Sequence, residues 1–164
     1  MSAPGADADG NPLFAHERLP AFDRIRVEHM EPAMRRLLPR MITDLEALEA
    51  SATTLAPTWD SVMVPLNDLS EPVRFAWGVI NHLKSVQDSP ALRTAREAVQ
   101  GDVVQAFLRI GQSQPIYRAM KALRDGGEWA NLSPTQRRIV DAAIRDAELS
   151  GVGLTGDALA RFQA

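Results

Sequence analysis

The side chains best suited to chemistry in this sequence are three histidines, His16, His29 and His82. A zinc peptidase helix carries two histidines one turn apart, with a glutamate after the first, so that both imidazoles face one metal ion. His16 and Glu17 begin such a pattern, but Pro20 stands where the second histidine would be. Because proline supplies no ligand and ends a helix, we predict no metal site there.

The other two histidines also lack a second ligand at metal-binding spacing. His29 lies between Glu28 and Glu31, and we expect its imidazole to cap a helix N-terminus or to hydrogen-bond locally. His82 lies beside Asn81 on the flank of an apolar stripe, which is typical of a half-buried histidine with local partners. The sequence therefore predicts no catalytic, metal-binding or cofactor-binding residue in this chain.

A glycine-rich segment, GVGLTG at residues 151–156, matches the literal pattern of a dinucleotide-binding loop. That loop must leave a strand and open a helix, so that amides at the helix N-terminus meet a pyrophosphate. Here the segment leaves a helix, which favours a glycine C-cap and a turn. No serine occupies a nucleophile elbow, although a Ser-His-Asp arrangement, which needs only proximity in space, stays open.

Most charged residues are interpreted as solvated helix faces opposite apolar stripes. They are the carboxylates Asp44, Glu46 and Glu49, the pair Arg35 and Arg36, and the cluster of Arg137, Arg138 and Arg145. The tryptophans Trp59, Trp77 and Trp129 are assigned to helix packing. An aromatic content of 5% and a net charge of -3 argue against nucleic acid as a partner.

Composition indicates one globular domain of ordinary size. The 164 residues are 45% hydrophobic and 24% charged, without a single cysteine, so that disulfides and thiolate metal sites are excluded. No apolar run approaches the length of a membrane span, and the acidic first ten residues do not resemble a signal peptide. We expect a cytoplasmic protein without a membrane partner.

The spacing of apolar residues predicts an all-α fold with about five amphipathic helices in a bundle and no convincing strand. The helices are expected to begin near Glu28, at Thr58, after Ser89, at Gln114 and after Ser133. Ser or Thr before the first turn, followed in two cases by proline, is a typical helix start. Pro39 is expected to kink the first helix, and Pro65 and Pro72 to bend or break the second.

The same pattern predicts three parts of the chain. Residues 1–18 are expected to form a flexible arm that Leu13 and Phe14 could anchor, because they are rich in Gly, Pro, Ala and Asp. Residues 19–154 form the helical domain. Residues 155–164 are interpreted as the start of a truncated helix, since a helix of this length is marginal unless it packs.

Several stretches resemble the N-terminal region of the thimet oligopeptidase family of zinc metallopeptidases. They are LPAFDRIRVEHMEPA at residues 19–33, Thr58 with Trp59, Pro65 with Leu66, HLKSVQDSPALR at 82–93, YRAMKALRD at 117–125 and LSPTQRRIVDAAIRDAELSGVGL at 132–154. Their order and spacing extend the resemblance from about Leu13 to the end of the chain. Each stretch alone is modest, and the specificity lies in the series.

The resemblance implies a zinc-dependent endopeptidase that cleaves short peptides inside a channel between two helical halves. Zinc in that family is held by an HExxH helix and a later glutamate, none of which this sequence contains. The resemblance thus implies an N-terminal domain that forms channel wall, gates substrates, is inactive alone and needs the catalytic C-terminal portion. The alternative is a non-enzymatic helical module that binds a peptide or partner through an exposed apolar stripe.

Overall fold

The computed structural model describes residues 10–16 and 19–154, and this part of the chain is all-α. The five predicted helices are confirmed, and no strand occurs among the described residues. They are α1 (Met30–Ala52), α2 (Val64–Val86), α3 (Pro90–Gly111), α4 (Gln114–Asp125) and α5 (Pro134–Leu149). Short 3-10 turns lie at Pro12–Phe14, Val27–His29 and Gly127–Asn131, and a π turn lies at Trp59–Met63. None of the described helices has the length and apolar character needed to cross a membrane.

Hydroxyl side chains cap the helix starts, as predicted. The Thr58 hydroxyl accepts the amide N–H of Ser61 at the π turn, and the Ser89 hydroxyl accepts that of Leu92 in α3. At α5 the Ser133 hydroxyl accepts the Gln136 amide at 3.2 Å, while the Gln136 side chain accepts the Ser133 amide at 2.9 Å. This reciprocal pair satisfies two amides that the helix leaves unbonded.

Two prolines lie inside continuous helices. α1 continues through Pro39, and α2 continues through Pro72, so of the bend or break expected in the second helix, the break does not occur at Pro72. Leu69, Val73 and Ala76 around Pro72 are buried, and this packing holds the helix across the missing hydrogen bond. The irregular hydrogen bonding lies just before Pro65, in the π turn, where the Val64 amide bonds to the Trp59 carbonyl.

The residues form two compact units, each with its own apolar core. The first unit combines the described residues up to Thr43 with Asp68–Gln105, and the second combines Asp44–Asn67 with the described residues from Ala106 onward. The largest fully buried side chains of the first unit are Leu13, Met30, Met34, Met41, Val73, Ile80 and Val99. Those of the second are Leu45, Val62, Ile116, Leu123 and Val140.

Leu13 anchors the N-terminal segment to the first unit, as expected. Its side chain is fully buried, and its amide bonds to the Asn11 side chain, which also donates to the His29 carbonyl at 2.9 Å. The Arg36 guanidinium lies 5.1 Å from the Phe14 ring centroid, so Arg36 is not merely a solvated charge. Residues 1–9 and 17–18 of the predicted arm, and the predicted truncated helix at 155–164, lie outside the described residues.

The glycine-rich segment after α5 is a helix C-cap, which confirms that interpretation over a dinucleotide loop. Gly151 has φ 81°, its amide bonds to the Glu148 carbonyl, and the Val152 amide bonds to the Ala147 carbonyl. These are the two bonds of a Schellman motif, and Val152 and Ala147 are both buried beside it. The Gln114 side chain of α4 donates to the Val152 carbonyl and ties this turn to the second unit.

Replacing Gly151 with alanine tests this cap. We expect Gly151→Ala to lower the free energy of unfolding by about 1–2 kcal/mol, because an L side chain at positive φ is strained. Gly153→Ala is the matched control, since Gly153 lies two residues on, has no positive φ and leaves open space for a Cβ atom. Urea denaturation of both variants measures the difference, and equal losses would contradict the assignment.

Candidate functional site

The first unit carries an open groove of about 710 Å³ beside the starts of α1 and α3. Its lining is half small and apolar and half polar. The apolar residues are Val27, Pro32, Ala91 and Ala95, and the polar ones are Glu28, Glu31, Arg35 and Thr94. Such a mixture can hold a peptide segment or a partner side chain through apolar contact and a few directed polar bonds.

The turn before α1 sets the position of the groove's carboxylates. The Arg26 amide donates to His29 Nδ1 at 3.0 Å, which confirms the predicted local role of His29 as a capping residue. The Arg26 guanidinium bonds to the carbonyls of Asp23 and Ile25, and so fixes the preceding loop. Glu28 and Glu31 therefore lie in the first turn of the helical segment, where the helix dipole favours negative charge.

Three of the groove's polar side chains, Glu31, Arg35 and Thr94, have partners among the described residues. The Glu31 carboxylate pairs with Arg35 at 2.7 Å, and Arg35 also lies 3.8 Å from Asp102. The Thr94 hydroxyl donates to the Pro90 carbonyl. Throughout residues 10–16 and 19–154, no three His, Cys, Asp or Glu side chains cluster as metal ligands would. The mixed apolar and polar lining of the groove is that of a candidate binding surface.

Neither of the remaining histidines, His16 and His82, lines the groove. His16 Nδ1 lies 3.2 Å from the Phe14 carbonyl, and its neighbour Glu17 lies outside the described residues. The prediction of a half-buried His82 is wrong, because its side chain is exposed and its ring lies 5.3 Å from that of Phe22. On α2 the buried positions are taken by Val79, Ile80 and Leu83, so His82 faces outward.

A polar cluster around the buried Ser113 in the second unit corrects the interpretation of Glu49 as a solvated carboxylate. Both Glu49 oxygens accept from Arg109 at 2.7 Å, and the buried Ser113 hydroxyl donates to Glu49 at 2.5 Å. Hydrogen bonding to the Arg109 guanidinium holds the pKa of Glu49 below its ordinary value of 4.5, and raises the pKa of Arg109 in turn. Both groups stay charged at neutral pH, so the pair acts as a structural link and not as a proton donor or acceptor.

Arg137 is likewise more than a surface charge. Its guanidinium donates to the carbonyls of Trp129 and Ala130 at 3.0 and 2.7 Å, and lies 5.8 Å from the Trp129 ring centroid. The amide N–H of Trp59 donates to Glu128 in the same unit. All three tryptophans are half-buried, which agrees with a role in helix packing.

Substituting Glu49 tests the polar cluster and its pH dependence. We expect Glu49→Gln to lower the free energy of unfolding by about 1–2 kcal/mol at pH 7, because two charge-assisted hydrogen bonds are weakened in a partly exposed pair. Since the pKa of folded Glu49 lies below its unfolded value, this stabilisation is complete above pH 4.5 and is lost as the pH falls through the folded pKa.

The control is Glu46→Gln, one turn earlier on the same helix, where the carboxylate is exposed. This change should lower the free energy of unfolding by less than about 0.5 kcal/mol. Denaturant unfolding between pH 3 and 7, as approximate limits spanning the titration, measures both. If the loss of unfolding free energy in Glu49→Gln is as large at low pH as at pH 7, the ionised pair is not its cause.

Comparison with known proteins gives a consistent result. The family described as "Neurolysin/Thimet oligopeptidase, N-terminal domain" matches residues 34–159, more than half of the chain. Two Arabidopsis thaliana proteins, "Probable cytosolic oligopeptidase A" and "Organellar oligopeptidase A, chloroplastic/mitochondrial", are each 41% identical over 152 residues. "Oligopeptidase A" of Escherichia coli is 34% identical over the same length, in keeping with the similarity to bacterial oligopeptidase A that the quoted stretches carry.

These matches cover 93% of this chain but only 21%, 19% and 22% of the respective relatives. The chain therefore spans about a fifth of the length of the curated relatives it matches.

Proposed function

This chain belongs to the neurolysin and thimet oligopeptidase family as its N-terminal domain, and from this premise we propose that it serves a zinc-dependent, oligopeptidase A-like endopeptidase. In this role it forms part of the wall of the substrate channel and helps to gate the entry of short peptides. Its partner is the catalytic C-terminal portion of the same peptidase. Alone, it is inactive.

The observation that carries the proposal is the coverage of the matches. Nearly all of this chain aligns with a small part of longer proteins named as oligopeptidases. The family that matches this chain is itself described as an N-terminal domain, which supports the same assignment. The all-α architecture agrees with a wall built from packed helices.

The polar contacts of the described residues support a role for this chain that is separate from the catalytic step. Zinc would supply a Lewis acid and an activated water to peptide hydrolysis. The described residues offer no set of three ligands for it, so the proposal assigns the ligands to the catalytic portion. Glu49, whose pKa lies below its ordinary value, is engaged by Arg109 and Ser113 and is not available as a general base.

The proposal also includes a location and a substrate range. We assign the protein to the cytoplasm, where a chain without cysteine needs no oxidising environment. Short peptides, and not nucleic acids, are the proposed substrates of the whole enzyme; for this part of it, the net charge of -3 disfavours a polyanion.

A chimera tests the proposal directly. The part of Escherichia coli oligopeptidase A that aligns with this chain is exchanged for residues 1–164, and hydrolysis of short peptides is measured with and without a chelator. We expect chelator-sensitive hydrolysis within about tenfold of the parent enzyme, because the wall is replaced by a homologous one. A helical domain of equal length from an unrelated family is the control. A soluble, folded chimera without activity would contradict the proposal.

The isolated chain gives a second expected outcome. Purified residues 1–164 should hydrolyse no short peptide, with or without added zinc, because the described residues provide no ligand cluster. Product formation is followed by mass spectrometry. Hydrolysis that a chelator abolishes would disprove the inactivity of the chain alone.

A stand-alone binding module is the second candidate function, and exposed apolar side chains favour it. Leu19 is 92% exposed, and Phe22 and Val86 are also exposed in the first unit. In the second unit Leu149 of α5 is 72% exposed. A chain that remains monomeric at high concentration, binds no hydrophobic dye and retains no peptide would argue against this function.

A further inference from the structure

Arg96 on α3 differs from Arg35 and Arg93 of the first unit in what surrounds its charge. Arg35 pairs with Glu31, and Arg93 pairs with Asp88. Arg96 instead bonds to two neutral amides: its Nε donates to Asn81 Oδ1 at 2.8 Å and its Nη1 to Gln100 Oε1 at 2.6 Å. Within the described part of the chain, no carboxylate forms an ion pair with it.

The guanidinium is nevertheless held in one orientation. Its central carbon lies 5.1 Å from the Trp77 ring centroid, at cation–π distance. Asn81 is fixed in turn, because its Nδ2 donates to the Trp77 carbonyl at 2.8 Å, which leaves Oδ1 for Arg96. Two helices, α2 and α3, thus immobilise a positive charge without neutralising it.

The N–H groups of Arg96 that make no hydrogen bond among the described residues indicate which kind of ligand it can bind. The N–H groups of Nη2 and the second hydrogen of Nη1 make no bond within the described residues. A guanidinium edge with parallel N–H groups matches a planar carboxylate, which accepts two hydrogen bonds at once. A single positive charge balances one carboxylate, whereas the acidic balance of the chain disfavours polyanions.

We propose that Arg96, stacked on Trp77 and oriented by Asn81 and Gln100, is a binding site for a carboxylate group. The carboxylate could be a peptide C-terminus or an Asp or Glu side chain, which share the same planar acceptor. Preorganisation of the guanidinium lowers the ordering cost of binding. The inference is independent of the peptidase assignment, because it rests only on the contacts of these four residues.

Titration of the isotope-labelled 164-residue chain, followed by NMR, tests the site. The probes are N-acetyl-trialanine with a free C-terminus, its neutral C-terminal amide, and N-acetyl-Ala-Glu-Ala amide, which carries only a side-chain carboxylate. We expect saturable shifts of the Arg96 Nε–H and Trp77 indole N–H signals, with a Kd of order millimolar for one partly exposed ion pair. The neutral amide should produce none.

The two acidic probes separate the sources of the carboxylate. Binding of both supports a general carboxylate site, and binding of N-acetyl-trialanine alone supports a site for peptide C-termini. Binding of N-acetyl-Ala-Glu-Ala amide alone supports a site for acidic side chains. Equal shifts with the neutral amide, or no saturable shift with either acid, would overturn the proposal.

Variants separate binding from a merely structural brace. Arg96→Gln should abolish the shifts of Trp77, and Arg96→Lys should weaken binding about tenfold, because an ammonium lacks the planar fork. Asn81→Ala keeps the positive charge of Arg96 but removes the hydrogen bond that orients its guanidinium, and should weaken binding about threefold. Arg118→Gln, at an exposed arginine of α4, is the control and should bind as the unaltered chain does.

Circular dichroism confirms that each variant is folded. If Arg96→Gln fails to fold, Arg96→Lys and Asn81→Ala decide the question. Undiminished binding by folded Arg96→Gln, or by both other variants, would exclude Arg96 as the site.

Discussion

The second unit depends on one carboxylate that three helix ends share. Glu49 lies near the C-terminal end of α1, Arg109 near that of α3, and Ser113 is the N-cap of α4. The Ser113 hydroxyl receives the Ile116 amide and donates to Glu49, so one oxygen atom both caps α4 and fixes it to α1. Because Ser113 is 2% exposed, loss of the carboxylate would leave a buried hydroxyl without its acceptor.

Local chemistry accounts for the features that could be predicted from the sequence. A hydroxyl residue before a helix, such as Ser89 or Ser133, interacts with amides only three residues away, so its role is visible in the sequence itself. The same holds for Gly151, whose left-handed φ ends α5 at the expected position. Apolar spacing likewise indicates the buried stripe of each helix, and this is why the number, order and approximate bounds of the helices agree with the structure.

Long-range polar contacts account for what could not be predicted. Glu46 and Glu49 look alike in a helical pattern, yet Glu49 is the one that accepts hydrogen bonds from Arg109, which lies 60 residues away. Arg96 and Asn81 lie on different helices, and nothing in their spacing indicates a shared hydrogen bond. His82 shows the converse error: a position at the edge of a stripe is half-buried or exposed according to what packs there, and here Phe22 is the neighbour. α2 continues through Pro72, where the sequence predicted a bend or a break, because the buried residues around it compensate for one missing hydrogen bond.

The distribution of these polar contacts bears on what such a domain can contribute to a peptidase. Catalysis by proton transfer needs a group whose pKa lies near the working pH. The pKa of Glu49 is lowered and that of Arg109 is raised, so both move away from neutrality. Their pairing favours rigidity over reactivity, which is what a channel wall needs if it is to exclude folded proteins by its shape. Arg96 is different, because its charge is oriented but not compensated. If the proposed role as channel wall holds, a fixed cation there would bind acidic groups without reacting with them, and would select among peptides while the catalytic portion hydrolyses them.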